Sequence, residues 1–402
     1  PAPASAVAMA LAWDALVPDI RPEWVLHDQD GLLAIDKPAG VSSQAADAEA
    51  PDDIVARLRS WLGPDAYVGV HQRLDQETSG VLVFVRDPAR NAAVARAFET
   101  RTATKEYIAA VVGWQGGART LRHRLKRSRG RVFVAKGKQD GKEAITHVEV
   151  LERRGNRHLL RLKIETGRTH QIRVQLAESG APIVGDSMYG GAPASRLFLH
   201  AQRLQLPLDD SGSGSSGSAA LDLASPVPAE FSEWLHGEAS PYASLDRLLR
   251  RALDRRWILT RAAMAGETTC FRWIDADGDG LPGVEIDLYA GHAVLHLKDD
   301  AAAHEGALLD AIERAGVADI YVKRRPLHAN LARDEVDAIA PPDPVRGAPA
   351  PAELLVREYG VEYSVRLGDG LGTGLFLDAR EARHRVLSHA SEKRVLLSLL
   401  PF

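Results

Sequence analysis

A chain of 402 residues with 45% hydrophobic and 26% charged content can bury two full cores, and its composition is ordinary for a soluble globular protein. No run of roughly 18 apolar residues is present, so no membrane-spanning helix is expected. A single cysteine, Cys270, excludes an internal disulfide framework and suits a cytoplasmic location, and the net charge of −4 sits awkwardly with a nucleic-acid partner unless the cations are gathered locally.

Residues 1–13 are small and apolar with no basic stretch ahead of them, which makes 1–22 a tail and not a signal peptide. Two short strands are expected over 24–36, around the turn Gln29-Asp30-Gly31, and Lys37-Pro38-Ala39-Gly40 then breaks the run. Val55, Leu58 and Leu62 repeat at helical spacing before Gly63-Pro64. Asp87-Pro88 opens a second helix carrying Ala92, Val94 and Phe98. Strands follow over 107–112, 131–134, 146–151 and 158–164. They outnumber the helices without alternating with them, which predicts an α+β fold with a mainly antiparallel mixed sheet.

Between Arg119 and Lys142 stand Arg122, Arg124, Lys126, Arg127, Arg129, Arg131, Lys136 and Lys138, opposed only by Asp140. By itself this reads as a solvated basic hairpin. The serine- and glycine-rich stretch 211–218 looks like an interdomain linker. However, Leu204, Leu206 and Leu208 alternate before it and Leu221 and Leu223 after it, so two strands around a long loop are expected, with Pro207 placing the first at a sheet edge. The boundary between domains is better set near 237–241, ahead of a helix carrying Leu245, Leu248, Leu249 and Leu253.

The most informative segment is His71-Gln72-Arg73-Leu74-Asp75-Gln76-Glu77-Thr78-Ser79-Gly80, followed at once by the apolar run 81–85. It sets a carboxylate at the lip of a buried strand, with Arg73 two positions away to favour the ionised form that a nucleophile or base requires. The segment resembles the R-L-D-x-x-T-S-G signature of RluA-type pseudouridine synthases. Further blocks are similar in the same order: Asp36-Lys37-Pro38-Ala39-Gly40, then Thr104-Lys105-Glu106-Tyr107-Ile108-Ala109, then Glu165-Thr166-Gly167-Arg168-Thr169-His170-Gln171-Ile172-Arg173-Val174. Pro182-Ile183-Val184-Gly185-Asp186, Tyr189-Gly190 and Leu199-His200-Ala201 complete the set, so the resemblance spans about 23–238.

That resemblance implies an enzyme that detaches the uracil of an RNA uridine from C1′, turns it over and rejoins it through C5. The isomerisation is redox-neutral and calls for no cofactor and no metal. Asp75 takes the family's catalytic position, as nucleophile or as base. Tyr107 offers an aromatic face to the extruded base, Arg173 pairs with the aspartate, and Arg73 meets the phosphate or the space left by the flipped nucleotide. Thr169 is expected to cap a helix running to Gly180 that carries Arg173 on a different face from Ile172 and Leu176. Two positions depart from the family pattern. Gln72 separates His71 from Arg73, which leaves His71 without an assigned role, and Gln175 stands where a histidine is common. Beside this signature the basic arm reads as a phosphate contact. With no room before residue 23 for an S4 RNA-binding domain, the chain resembles the branch without one.

The second half carries two imitation motifs. Asp275-Ala276-Asp277-Gly278-Asp279-Gly280 starts like a calcium loop, but its twelfth position is Ile286 and Pro282 interrupts it. His292 and His296 have the spacing of a helical metal pair, yet Ala293-Val294-Leu295 between them reads as strand, which would hold the rings roughly 13 Å apart. Gly368-Asp369-Gly370-Leu371-Gly372-Thr373-Gly374 imitates a nucleotide fingerprint without a complete βαβ unit. Asp279-Gly280-Leu281-Pro282-Gly283 and Thr373-Gly374-Leu375-Phe376-Leu377-Asp378-Ala379-Arg380 resemble instead the region ahead of the catalytic domain in RlmI-like RNA methyltransferases. A strand over 393–396 should feed their S-adenosylmethionine loop, and the sequence stops at Phe402 before it.

The expected molecule is therefore a tail (1–22), a pseudouridine synthase domain (23–238) and a smaller α/β domain (242–402) that resembles a methyltransferase front part. A monomer acting on ribosomal or transfer RNA is expected. The alternatives are a bifunctional synthase and methyltransferase, or a non-catalytic RNA-binding protein; intact Asp75, Tyr107 and Arg173 stand against the last.

Overall fold

The computed structural model describes residues 13–44, 52–137, 140–208, 219–238, 240–325 and 333–389. The chain divides into two compact units: Pro18–Ala243, and Ser244–Phe402 together with the N-terminal Pro1–Val17. The tail expected over 1–22 is structured from Trp13 onward. Helix α1 (Trp13–Leu16) packs its tryptophan 5.7 Å from the Phe271 ring of the second unit, Val17 is fully buried, and Pro22–Trp24 form a 3-10 turn. Tryptophan and valine at those positions bury enough apolar surface to order the segment, which composition alone does not reveal.

The first unit is built on an eleven-stranded sheet. Its strands are β1 (Val25–Gln29), β2 (Leu32–Lys37), β3 (Gly69–Val70), β4 (Ser79–Val85), β5 (Thr104–Val112), β6 (Arg119–Ser128), β7 (Arg131–Val134), β8 (Lys142–Arg154), β9 (Arg157–Ile164), β10 (Leu199–Leu208) and β11 (Ala219–Ala224). The order is β1-β2-β4-β10-β5-β9-β8-β6-β7, with β3 on β4 and β11 on β10. Among the described residues, every pair of named strands in this unit is antiparallel except β4 with β10, where Ser79 faces His200 and Gly80 faces Ala201. A Cβ on Gly80 would lie 2.2 Å from the Ala201 carbonyl oxygen, and its φ is +113°, so only glycine lets these two strands close.

All seven residues of β4 are buried, because both faces of the sheet are covered there. Leu82 and Phe84 join Leu33 and Ile35 under helix α2 (Ile54–Leu62), while Val81, Val83 and Val85 join Val94 and Ala97 of α3 (Asn91–Glu99) on the other face. Asp53 caps α2 by accepting the Ala56 N–H at 2.7 Å. Asp87 caps the 3-10 turn that leads into α3. A third cluster lies under α4 (Gln171–Glu178) and α5 (Ala229–His236) and contains Ile108, Leu160, Leu162, Leu176, Ile183 and Phe231.

The strands expected either side of 211–218 are β10 and β11, which pair from Arg203↔Ala224 to Leu208↔Ala219; the loop itself lies outside the described residues. The edge position expected from Pro207 is not what the sheet shows. Strand β10 is central, between β4 and β5, and Pro207 follows the last residue that pairs with β5, Gln205. Its missing N–H therefore costs no ladder bond on that side.

In the second unit, α6 (Leu245–Asp254) buries Leu245, Leu248, Leu249 and Leu253, and α7 (Trp257–Met264) follows. A four-stranded sheet runs in the order β12 (Cys270–Asp275), β13 (Val284–Tyr289), β14 (His292–Lys298), β15 (Ile320–Arg325). Helix α8 (Glu305–Arg314) makes the crossover that lets β14 and β15 pair parallel. After α9 (Arg333–Ile339) come the hairpin β16 (Leu354–Glu358) and β17 (Val361–Val365), then α10 (Arg380–His389). The strand expected over 393–396 lies outside the described residues.

Candidate active site

Asp75 sits in the loop between β3 and β4, and that loop is pinned on both sides of it. The Ser43 hydroxyl bonds the Leu74 carbonyl at 2.8 Å and accepts the Leu74 N–H at 3.0 Å. On the other side, the buried Lys37 ammonium donates to the carbonyls of Pro38, Val41 and Gln76 at 2.8, 2.7 and 2.9 Å. Burial lowers the Lys37 pKa, while Glu77 and Asp75 push back. Three carbonyl acceptors need three N–H donors, so the contacts require the protonated form. The break expected at 37–40 is thus a clamp on the Asp75 loop.

The loop, β5 and α4 enclose a cleft of about 850 Å³ lined by Arg73, Asp75, Tyr107, His170 and Arg173, among others. All four residues singled out from the sequence line it. Asp75 is partly exposed, and its Oδ2 accepts the Arg173 Nη1 hydrogen at 3.2 Å. Arg173 spends its other edge on Asp186, donating Nε to Oδ2 at 2.7 Å and Nη2 to Oδ1 at 2.9 Å. Burial works against the Arg173 charge, but Asp186 and then Asp75 more than compensate, so its pKa lies above the ordinary value. Tyr107 is half-buried in β5; burial and then the negative charge of Asp75 push its phenol pKa up, so the hydroxyl stays protonated.

Two cations are expected beside Asp75, Arg73 from its place in the loop and Arg173 from the family resemblance, and only Arg173 is found there. Arg73 is exposed on the cleft wall and, among the described residues, makes no ion pair with Asp75; Arg173 occupies that place. Arg73 and Asp75 stand two positions apart on an irregular loop, where closeness in sequence does not fix which side chains meet.

Helix α4 also differs from the expectation. Thr169 does not cap it. The capping position is His170, in the left-handed region at φ 51° and without a side-chain cap, and the Gln171 side chain instead turns back to accept the Arg168 N–H at 3.1 Å. Nor is the helix amphipathic: residues 171–176 are all buried, Arg173 included. Gln171 donates to the Ile145 carbonyl and the Thr146 hydroxyl. Gln175, where a histidine was expected, is fully buried; it accepts from Thr146 at 2.6 Å and donates to the Leu121 and Ala144 carbonyls. Both glutamines therefore lock α4, and with it Arg173, to β6 and β8. His71, which lines the same cleft, has its Nε2 2.7 Å from Asn91 Oδ1.

Several residues of the site were not singled out. Asp186, whose side chain is wholly buried, is held by the segment 183–186 stitched to β5 through Val184 N–H to Ala110 O at 2.9 Å. The signal was available, because a lone acid after Ile183-Val184-Gly185 must find a cation once buried. Lys105, Arg101 and Arg168 add cations to the cleft wall, and burial lowers the Lys105 pKa. At the arm, β6 and β7 form a hairpin through Arg129 and Gly130, both at positive φ. Asp140 takes Lys126 at 2.9 Å, whereas Arg122, Arg127 and Arg129 are exposed and, among the described residues, form no ion pair. Lys138 lies outside the described residues.

In the second unit, the imitation motifs are already occupied by protein. Asp279 accepts both Arg256 Nη atoms, at 3.2 and 2.6 Å, and the Asp275 N–H at 2.8 Å. His296 meets Asp287 at 3.2 Å while His292 faces Asp319 at 3.6 Å, so the two rings serve different partners. The glycine loop presents carbonyls, not N–H groups, to Lys323 through Gly370 and Gly372, the reverse of a phosphate cradle.

A family model described as RNA pseudouridylate synthase matches residues 31–178. Ribosomal large subunit pseudouridine synthase D of Xanthomonas campestris pv. campestris is 32% identical over 255 residues, 58% of this chain and 75% of that protein. Among solved structures, human RNA Pseudouridylate Synthase Domain Containing 1 is similar at TM-score 0.43 and 25% identity, covering 51% of this chain and 83% of that one. A putative SAM-dependent methyltransferase from Streptococcus mutans is similar at TM-score 0.32 and 22% identity, covering 43% of this chain and 41% of the other.

Proposed function

This chain belongs to the RNA pseudouridylate synthase family, and from that premise we propose that Asp75 is the residue that attacks or deprotonates the ribose of the target uridine. The observation that carries this reading is the seating of Asp75: a partly exposed carboxylate in a cleft, with Arg173 donating to one oxygen and Tyr107 beside it. Tyr107 supplies a face for the detached uracil, and Arg173, anchored by Asp186, holds the carboxylate in place. Arg73 takes the phosphate of the flipped nucleotide or fills the space it leaves. Because the isomerisation is redox-neutral, the chain's own side chains supply what it needs.

The target class is ribosomal RNA of the large subunit, on the strength of what the Xanthomonas relative is named for. Transfer RNA is the other candidate. The synthase domain is taken as 23–238 and the following domain as 242–402, in a cytoplasmic monomer. The second unit is loosely similar in fold to S-adenosylmethionine-dependent methyltransferases. Our finer reading is the RlmI-like front part, supported by the turn 373–380 leading into α10.

The test is tritium release from 5-tritiated uridine in RNA. Asp75→Asn is nearly isosteric but loses charge and nucleophilicity, so it should release no tritium above background while binding RNA as the unmodified enzyme does. Release at the unmodified rate would sink the assignment.

A further inference from the structure

The Asp75 carboxylate is addressed from two directions, and both converge on the same oxygen. Arg173 Nη1 donates to Oδ2 at 3.2 Å, and His170 Nε2 stands 3.9 Å from that oxygen. Among the described residues, nothing bonds Oδ1.

The tautomer of His170 follows from its other side. The Tyr189 hydroxyl oxygen accepts the Val132 N–H at 3.3 Å and lies 2.9 Å from His170 Nδ1. The backbone hydrogen comes in at the oxygen, and among the described residues the hydroxyl's own hydrogen has no acceptor other than Nδ1. A neutral imidazole that accepts at Nδ1 carries its proton on Nε2, the nitrogen facing Asp75. Tyr189 is itself clamped, since the Arg131 and Arg173 guanidinium groups lie 5.0 and 5.2 Å from its ring centre.

The backbone supports the same arrangement. His170 sits at φ 51°, at the start of α4, and that left-handed turn aims its ring back across the helix end toward the Asp75 loop. Histidine is one of the few non-glycine residues enriched there. The groups facing the ring are Asp75, Arg173, Asp186, Arg127 and Tyr189. Burial lowers the His170 pKa and Asp75 opposes that, so the neutral form prevails near neutrality.

We propose that His170 is a positioning residue for Asp75: a neutral imidazole, its tautomer locked by Tyr189, that steers Oδ2 through Nε2–H and leaves Oδ1 as the oxygen presented to the ribose. This rests on the reading of Asp75 given above. The 3.9 Å separation is about 1 Å beyond a hydrogen bond, and contacts of this kind tighten when substrate closes on the site. No proton is transferred: once the contact closes, His170 donates a hydrogen bond from Nε2 and keeps its proton.

Glutamine and asparagine separate this role from a backbone role. Asparagine suits the left-handed turn better, but its amide ends short of Asp75; glutamine suits the turn less and carries an N–H close to where Nε2 stands. The assay is tritium release from total RNA labelled with 5-tritiated uridine in cells lacking this gene, with RNA affinity measured in parallel. His170→Asn should lower turnover at saturating RNA by about 10- to 100-fold, the cost of a misplaced catalytic group, with affinity unchanged. His170→Gln should recover most of that loss. Tyr189→Phe removes the donor to Nδ1, so the nitrogen NMR shifts of His170 should change from those of a single Nε2–H tautomer to those of a mixture of the two.

If Asp75→Asn stays active in the same assay, the reading of Asp75 itself falls. If Asp75→Asn is dead and His170→Gln is no better than His170→Asn, the positioning role falls and Asp75 stands. His170 nitrogen shifts that do not change in Tyr189→Phe would overturn the tautomer lock.

Discussion

Arg173 shows how much one side chain can decide. Its guanidinium forks onto buried Asp186 with two N–H groups and still has a third for Asp75. A lysine keeps the charge but has a single compact head that cannot fork onto one carboxylate while reaching another. Arg173→Lys should therefore fold and bind RNA, yet turn over about 100-fold more slowly, because Asp75 drifts when its anchor is lost. Unfolding midpoints and single-turnover tritium release would check both halves of that expectation. An active Arg173→Lys enzyme would mean that charge alone, without the fork, suffices.

At the scale of elements, the parallel junction of β4 and β10 carries a pH signature. His200 is fully buried there, its Nδ1 2.9 Å from the Ser79 hydroxyl and its Nε2 3.4 Å from the Ser225 carbonyl. Arg196 donates to that same Ser79 oxygen, so the Ser79 hydrogen is left for Nδ1 and the ring is held neutral. Burial, more than anything else, lowers the His200 pKa to about 4. A depressed histidine pKa means that the unfolded chain binds the proton more readily. The stabilising contribution is whole above about pH 6.5 and is lost as pH falls toward 4. The loss is on the order of 3 kcal/mol. Urea unfolding between pH 7 and 4.5 should show this fall, and His200→Gln should flatten it.

For the whole molecule, the question is how a chain of net charge −4 holds RNA. The answer proposed is local. The β6–β7 hairpin holds Arg122, Arg127 and Arg129 exposed, while Asp140 engages Lys126. Replacing those three arginines with glutamine should weaken RNA binding and flatten its salt dependence. The expected change is about 2 units of log–log slope, from roughly 0.7 per single-strand phosphate contact. Turnover at saturating RNA should stay the same when Arg122 and Arg129 alone are replaced, since they position substrate without facing His170 or the reacting atoms. An unchanged slope would make the hairpin a solvated surface and nothing more.

The sequence alone was enough for what local chemistry dictates. Turn residues marked the hairpin at Asp30-Gly31, helical spacing marked α2 and α6, and the apolar run 81–85 marked a strand buried on both faces. The motif order placed Asp75, Tyr107 and Arg173 in the blocks that come to line one cleft. Tertiary structure decided which groups meet across distance. It left Arg73 apart from Asp75 while bringing in Arg173, the partner that the family resemblance implied, set Asp186 behind Arg173, and turned His170 toward Asp75 from a left-handed position. It also made α4 a helix buried on every side, anchored by Gln171 and Gln175, where spacing pointed to a capped helix with distinct faces. The reason is physical: local patterns record what each segment does with its own backbone and with water, whereas the partner of a buried charge is chosen by whichever distant strand or loop the fold brings within about 3 Å.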